Sequence, residues 1–174
     1  EYLGDNLDWG MIALYLFLAL GVSFLCSLLE AIILSVTWSY IEILKKEEKS
    51  SGDVLKKLKE NIEQPLAAIL TLNTISHTVG AAGVGSEFHH LGNTWFTTAS
   101  IILTILILVF SEIIPKTIGA IYWKRIAPTA GYILDILVWI TWPIVFVLNY
   151  FSRIISEGKE DQKEMTREEM IAVA

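Results

Sequence analysis

An all-α membrane protein, with three transmembrane helices and juxtamembrane helices on the cytoplasmic side, is the fold class this sequence predicts from three observations. The first is composition: 53% of the 174 residues are hydrophobic and 18% are charged, and the mean hydropathy of +0.54 lies well toward the membrane class. The second is the spacing of uncharged stretches. Residues 10–38, 65–85 and 95–123 are apolar enough, and at about 1.5 Å per helical residue long enough, to cross a hydrocarbon core of ~30 Å. The third is where the positive charges fall. All 13 Lys and Arg lie in 45–59, 116–125 or 153–167, and none lies in 1–9 or 86–94. The positive-inside rule therefore puts the amino terminus and the 86–94 turn outside a multi-pass protein of the cell membrane, and the carboxy terminus in the cytoplasm.

The same numbers exclude other classes. A net charge of -6, with acidic residues gathered near the termini, gives no surface for nucleic acid. Cys26 is the sole cysteine and forms no intrachain disulfide. The chain begins at Glu1 without a methionine and shows no leader pattern, which leads us to expect a processed or excised piece.

Taken in order, residues 1–8 are acidic and Trp9 stands as an interfacial aromatic. The first span, 10–38, would be about 40 Å long as a helix, so it must tilt or project beyond the bilayer. Its polar residues Ser23, Ser27 and Glu30 recur at i, i+4 and i+7 and share one helix face. Residues 45–63 alternate lysine and glutamate with Val54, Leu55, Leu58 and Ile62. This is the pattern of an amphipathic helix at the cytoplasmic surface, facing anionic lipid and broken at Ser50–Asp53 with Asp53 as N-cap.

Pro65 opens the second span from its first turn. Residues 73–85 are small or polar and should pack closely on protein, with a dimer seam as one place for them; their glycines do not match a nucleotide loop. Residues 86–93 form a polar turn containing His89 and His90. The third span, 95–123, ends in Tyr122, Trp123, Lys124 and Arg125 as anchors.

Residues 126–155 are apolar, but basic residues flank both ends. The expectation is a pair of interfacial or re-entrant helices bending at Pro128, Gly131, Asp135 and Pro143, with a fourth crossing as the alternative. Residues 1–155 thus form one small membrane domain. Residues 156–174 begin a charged linker helix, with Thr166 and Glu169 as a capping box, toward a cytosolic regulatory domain.

The chemistry centres on Ser111-Glu112-Ile113-Ile114-Pro115-Lys116, which ends the run Ile101–Phe110. A carboxylate in a span is costly and is a functional-site hypothesis by default. Pro115 deletes a backbone donor, so carbonyls one turn back are freed beside Glu112. Counting along the helices puts Ser27 about 27 Å and Glu112 about 26 Å from the outer face, and Asn73 about 12 Å from the inner one. Three helices can therefore bring hydroxyl, amide and carboxylate oxygens to one depth, a donor set for Mg²⁺, Ca²⁺ or Na⁺. Against this stand plainer roles: helix glue for the serines and Asn73, packing for His77, a surface ion pair for Glu30, and anchoring for Lys116. No nucleophile–base–oxyanion arrangement appears, and the chain reads as no enzyme.

Ser23-x3-Ser27-x2-Glu30-Ala31, Leu72-Asn73-Thr74 and Glu112-Ile113-Ile114-Pro115-Lys116 together resemble the transmembrane domain of the CNNM/CorC magnesium transporter family over about residues 5–155, and Met165–Met170 resembles the lead into that family's CBS-pair module. The resemblance implies three crossings, a juxtamembrane belt helix, a homodimer in the lipid bilayer and a Mg²⁺ site in each protomer. Export against inward Na⁺ is the coupling it allows. Ser23, Ser27, Asn73 and Glu112 would be the metal positions, with Glu30 nearby. Two positions depart from the family pattern: Ser111 replaces the usual glycine, and His77 stands where a second asparagine is common. The alternatives to Mg²⁺ transport are a non-transporting scaffold or sensor and a passive cation channel.

Overall fold

The computed structural model describes residues 7–172 apart from His90, with side chains described as far as Pro143. Residues 1–6, His90 of the expected turn, and residues 173–174 lie outside the described residues. Helix α1 spans Trp9–Ser35, α2 Trp38–Lys46, α3 Ser50–Glu60, α4 Glu63–His89, α5 Asn93–Leu106 and α6 Ile114–Ala172, and the described residues include no strand. Two stretches are π-wound: Phe17–Val22 inside α1, and Ile107–Ile113, which joins α5 to α6 without a break. Three helices are long and apolar enough to cross a membrane: Trp9–Ser35, Glu63–His89 and the run from Asn93.

Local chemistry sets the boundaries. Asp8 caps α1, its Oδ1 accepting from Gly10 N at 3.0 Å and Met11 N at 3.1 Å. The first span ends at Ser35 rather than at residue 38. Val36 is extended and Thr37 caps the next helix, its hydroxyl accepting from Tyr40 N at 3.3 Å, so Trp38 opens α2.

The break between α2 and α3 also falls earlier than expected. Glu48 takes φ 55°, and Glu48 N and Lys49 N bond back to Lys45 O and Leu44 O, both at 3.0 Å. This is a Schellman ending built on a glutamate. Asp53 consequently lies in the first turn of α3, where it meets Lys45 at 3.2 Å, and Lys49 occupies the N-cap. Gly52 stays helical because it packs on α2, where an added Cβ would stand 2.9 Å from Lys45 Cγ. Pro65 sits in the first turn of α4 as expected, but that helix continues to His89 and leaves Leu91–Gly92 as the turn.

The main core joins the inner half of α1 (Cys26, Leu29, Ile32, Ile33) to α2 and α3 (Ile41, Leu44, Leu55, Leu58), α4 (Ala68, Ile69) and α6 (Ala127, Ala130, Leu134). A smaller one joins Ala19, Val84 and Leu103 near the other end. There two glycines of α4 are used within the protomer: a Cβ on Gly80 would lie 2.6 Å from Ala19 Cβ, and one on Gly83 would enter the Tyr15 ring. Elsewhere apolar side chains face outward, Ile101, Ile102, Ile105 and Leu108 among them, as lipid-facing residues do.

One expectation is corrected at α6. Residues 126–155 are not a pair of bent helices but part of one unbroken helical run, Ile114–Ala172, with Pro128 and Pro143 inside it; the same continuity leaves no helix start at Thr166. The physical reason at Pro128 is visible. Its missing N–H would have bonded the carbonyl of Lys124, and the Tyr40 hydroxyl donates to that carbonyl instead, at 2.5 Å. Burial raises the Tyr40 pKa above its ordinary value of 10.0. Lys57 bonds Asp135 at 2.8 Å and Lys59 reaches the Ile33 carbonyl at 3.1 Å, tying α3 to α6 and to the last turn of α1.

Candidate cation site

The segment of α1 carrying Ser23 and Ser27 packs against both α4 and the π-wound Ile107–Ile113. Three helices therefore converge where the sequence placed its polar residues. Ser23 is fully buried, and its hydroxyl donates to Asn73 Oδ1 at 2.6 Å while His77 Nε2 lies 2.5 Å from the same oxygen. With the hydroxyl proton committed to Asn73, His77 is the donor of the second bond. Ser27 is also buried, yet its Oγ has no hydrogen-bond partner among the described residues. A buried hydroxyl without a partner costs about 1–3 kcal/mol, so it calls for an explanation such as a ligand.

Glu112 lies within the π-wound stretch, partly buried, and makes no hydrogen bond or ion pair among the described residues. Its neighbour Ser111 is fully buried and donates to the Leu20 carbonyl at 3.1 Å, with Ala19 O at 3.5 Å. The two π-wound stretches are therefore hydrogen-bonded to each other across the helices. Extra residues in a π turn leave i→i−4 carbonyls unclaimed, and such turns concentrate at functional sites. Pro115, fully buried one turn on, supplies the cause in the second stretch, because its ring crowds the Ser111 carbonyl and its missing N–H cannot bond it.

Of the predicted positions, Ser23 and Asn73 are brought into direct contact, and Ser27 and Glu112 stand as unpaired oxygens on packed segments. Glu30 is set apart from them, in an ion pair with Lys116 at 3.2 Å. His77, expected to pack as a hydrogen-bonded histidine, and Ser111, noted as a departure from the family pattern, each make a side-chain hydrogen bond to α1. The one signal that could have promoted His77 was its i+4 spacing from Asn73, which puts both on one face of α4. Among the described residues no three His, Cys, Asp or Glu side chains form a metal-ligating group. The donors are instead one carboxylate with hydroxyl, amide and backbone oxygens, the set a hard cation accepts.

This fold and this cluster define a polytopic helical membrane protein with oxygen donors buried between its helices. The sequence matches the cyclin M transmembrane N-terminal domain over residues 14–174. It is 32% identical over 145 residues to a UPF0053 protein of Synechocystis sp., covering 83% of this chain and 42% of that one. A UPF0053 protein of Haemophilus influenzae is 27% identical, with 88% of this chain and 37% of that protein covered. The UPF0053 inner membrane protein YfjD of Escherichia coli is 26% identical, with 64% and 26% covered. The chain belongs to the CNNM family and spans less than half the length of these relatives.

Proposed function

We propose that this chain is the membrane domain of a divalent-cation transporter that moves Mg²⁺ out of the cell, driven by inward Na⁺. One observation carries the reading: the buried Ser27 hydroxyl has no partner among the described residues, one turn from the Ser23–Asn73 pair, on a segment packed against the π-wound stretch that carries the unpaired Glu112. Mg²⁺ is small and hard, takes oxygen ligands in an octahedral shell and keeps some of its waters. One carboxylate and a few neutral oxygens can hold such an ion without trapping it.

The π-wound backbone supports movement of the site. A π turn can pass along a helix at little cost in hydrogen bonds, so the Ser111–Leu20 contact can slip and alter the oxygens on offer. The lysine-rich α2 and α3, packed against residues 123–138 of α6, support a cytoplasmic face at that end and residues 126–155 that do not recross. In this reading the protein works as a homodimer, and a cytosolic CBS-pair module follows in the longer protein.

The test is flux and binding in proteoliposomes. We predict Na⁺-gradient-dependent Mg²⁺ flux and a rise in thermal stability with Mg²⁺. Glu112→Gln should weaken Mg²⁺ binding by about tenfold or more, roughly 1.4 kcal/mol. No flux under any Na⁺ gradient and no thermal response would leave a non-transporting scaffold, and flux indifferent to Na⁺ would leave a channel.

A further inference from the structure

Glu30 and Lys116 pair across α1 and α6, Oε2 to Nζ at 3.2 Å, with side chains 33% and 44% exposed. This is not the pairing that local spacing favours. Lys116 follows Glu112 by four residues on the same helical run, the order in which a glutamate and a lysine pair best. Its ammonium nevertheless lies on Glu30, and Glu112 is left unpaired among the described residues. The packing shows why Glu30 is within reach. Gly119, one turn beyond Lys116, lets α6 approach α1 so closely that a Cβ there would stand 2.7 Å from Ala31 Cβ and 2.9 Å from the Leu28 carbonyl. Those residues flank Glu30 on both sides.

From this geometry we infer that Glu30 is a positioning residue: it holds the Lys116 ammonium off Glu112 and so keeps the Glu112 carboxylate available to a divalent cation. The inference rests on the reading of Glu112 as the cation-binding carboxylate. It separates Glu30 from the ligands, although Glu30 shares a helix face with Ser23 and Ser27. Two carboxylates compete for one ammonium. When Glu30 loses its charge, the ammonium turns to Glu112, and an incoming cation must then displace an ion pair.

The ligand and positioning roles predict opposite results in a double variant. Mg²⁺ binding is measured by calorimetry on the protein in nanodiscs, for wild type, Glu30→Gln, Lys116→Met, both together, and Glu112→Gln, each with its thermal unfolding recorded without Mg²⁺. Glu30→Gln should bind Mg²⁺ about tenfold or more weakly. Lys116→Met should bind as wild type or tighter, and the double variant should return to within about threefold of wild type. A double variant as weak as Glu30→Gln would overturn the inference, since Glu30 would then touch the ion or only support the fold. A tenfold loss in Lys116→Met would overturn it too, by showing that the pair is merely a brace, and this arm decides the matter even if Glu30→Gln does not fold. Wild-type affinity in Glu30→Gln is equally fatal. These outcomes differ from failure of the transporter reading itself, which would show as no Mg²⁺ binding by wild type or undiminished binding by Glu112→Gln.

Discussion

Ser23 and Ser27 are one helical turn apart on α1 and both are buried, yet their hydroxyls are in opposite states. Ser23 is bonded to Asn73 and His77, while Ser27 has no partner among the described residues. Their alanine variants should therefore differ in sign. Ser23→Ala strands two side chains and should lower thermal stability by about 1–3 kcal/mol. Ser27→Ala removes an orphaned hydroxyl and should leave cation-free stability unchanged or up to about 1 kcal/mol higher, while weakening Mg²⁺ binding. Unfolding midpoints with and without Mg²⁺ check both; a Ser27→Ala protein that loses stability without Mg²⁺ would contradict the orphaned state. The residue types of this cluster were readable from the sequence because polar groups are conspicuous in apolar spans. Which serine had a partner was not readable, since that depends on the rotation of α1 against α4 to within a fraction of a turn.

Among the elements, α2 ends on Glu48 in the left-handed region, where a Cβ costs roughly 1–2 kcal/mol. Glu48→Gly should raise stability by about 1 kcal/mol in thermal unfolding, and an unchanged midpoint would mean that the strain is offset elsewhere. The three spans and the lysine-rich pair were legible, since length and amphipathic period report them directly. The π windings were not. Pro115 announced a disturbance at Glu112, but no proline in Phe17–Val22 marks its counterpart, where Ser111 bonds to the Leu20 carbonyl. The helix through Pro128 was hidden for a similar reason: a proline normally reads as a bend, and the donor that takes up the Lys124 carbonyl sits 84 residues before that lysine, on Tyr40.

At the scale of the whole molecule, the charge asymmetry predicts the orientation. In a Cys26→Ser background, Asn93→Cys should react with an impermeant thiol reagent added outside intact cells, and Lys56→Cys only after permeabilisation. The reverse pattern would invert the protein, and with it the assignment of α2 and α3 to the cytoplasm. The outward apolar residues of the run from Asn93 mark where the membrane covers the chain. The close packing of Gly80 and Gly83 on Tyr15 and Ala19 shows that these two glycines of α4 are already taken, while Thr78, Ala81 and Ala82 stay exposed.

The Tyr40 bond to Lys124 has a mechanical consequence. A proline-containing helix is a jointed rod, and here the joint is locked by a side chain belonging to a separate helix. Rigidity of α6 at Pro128 is therefore conditional on where α2 sits.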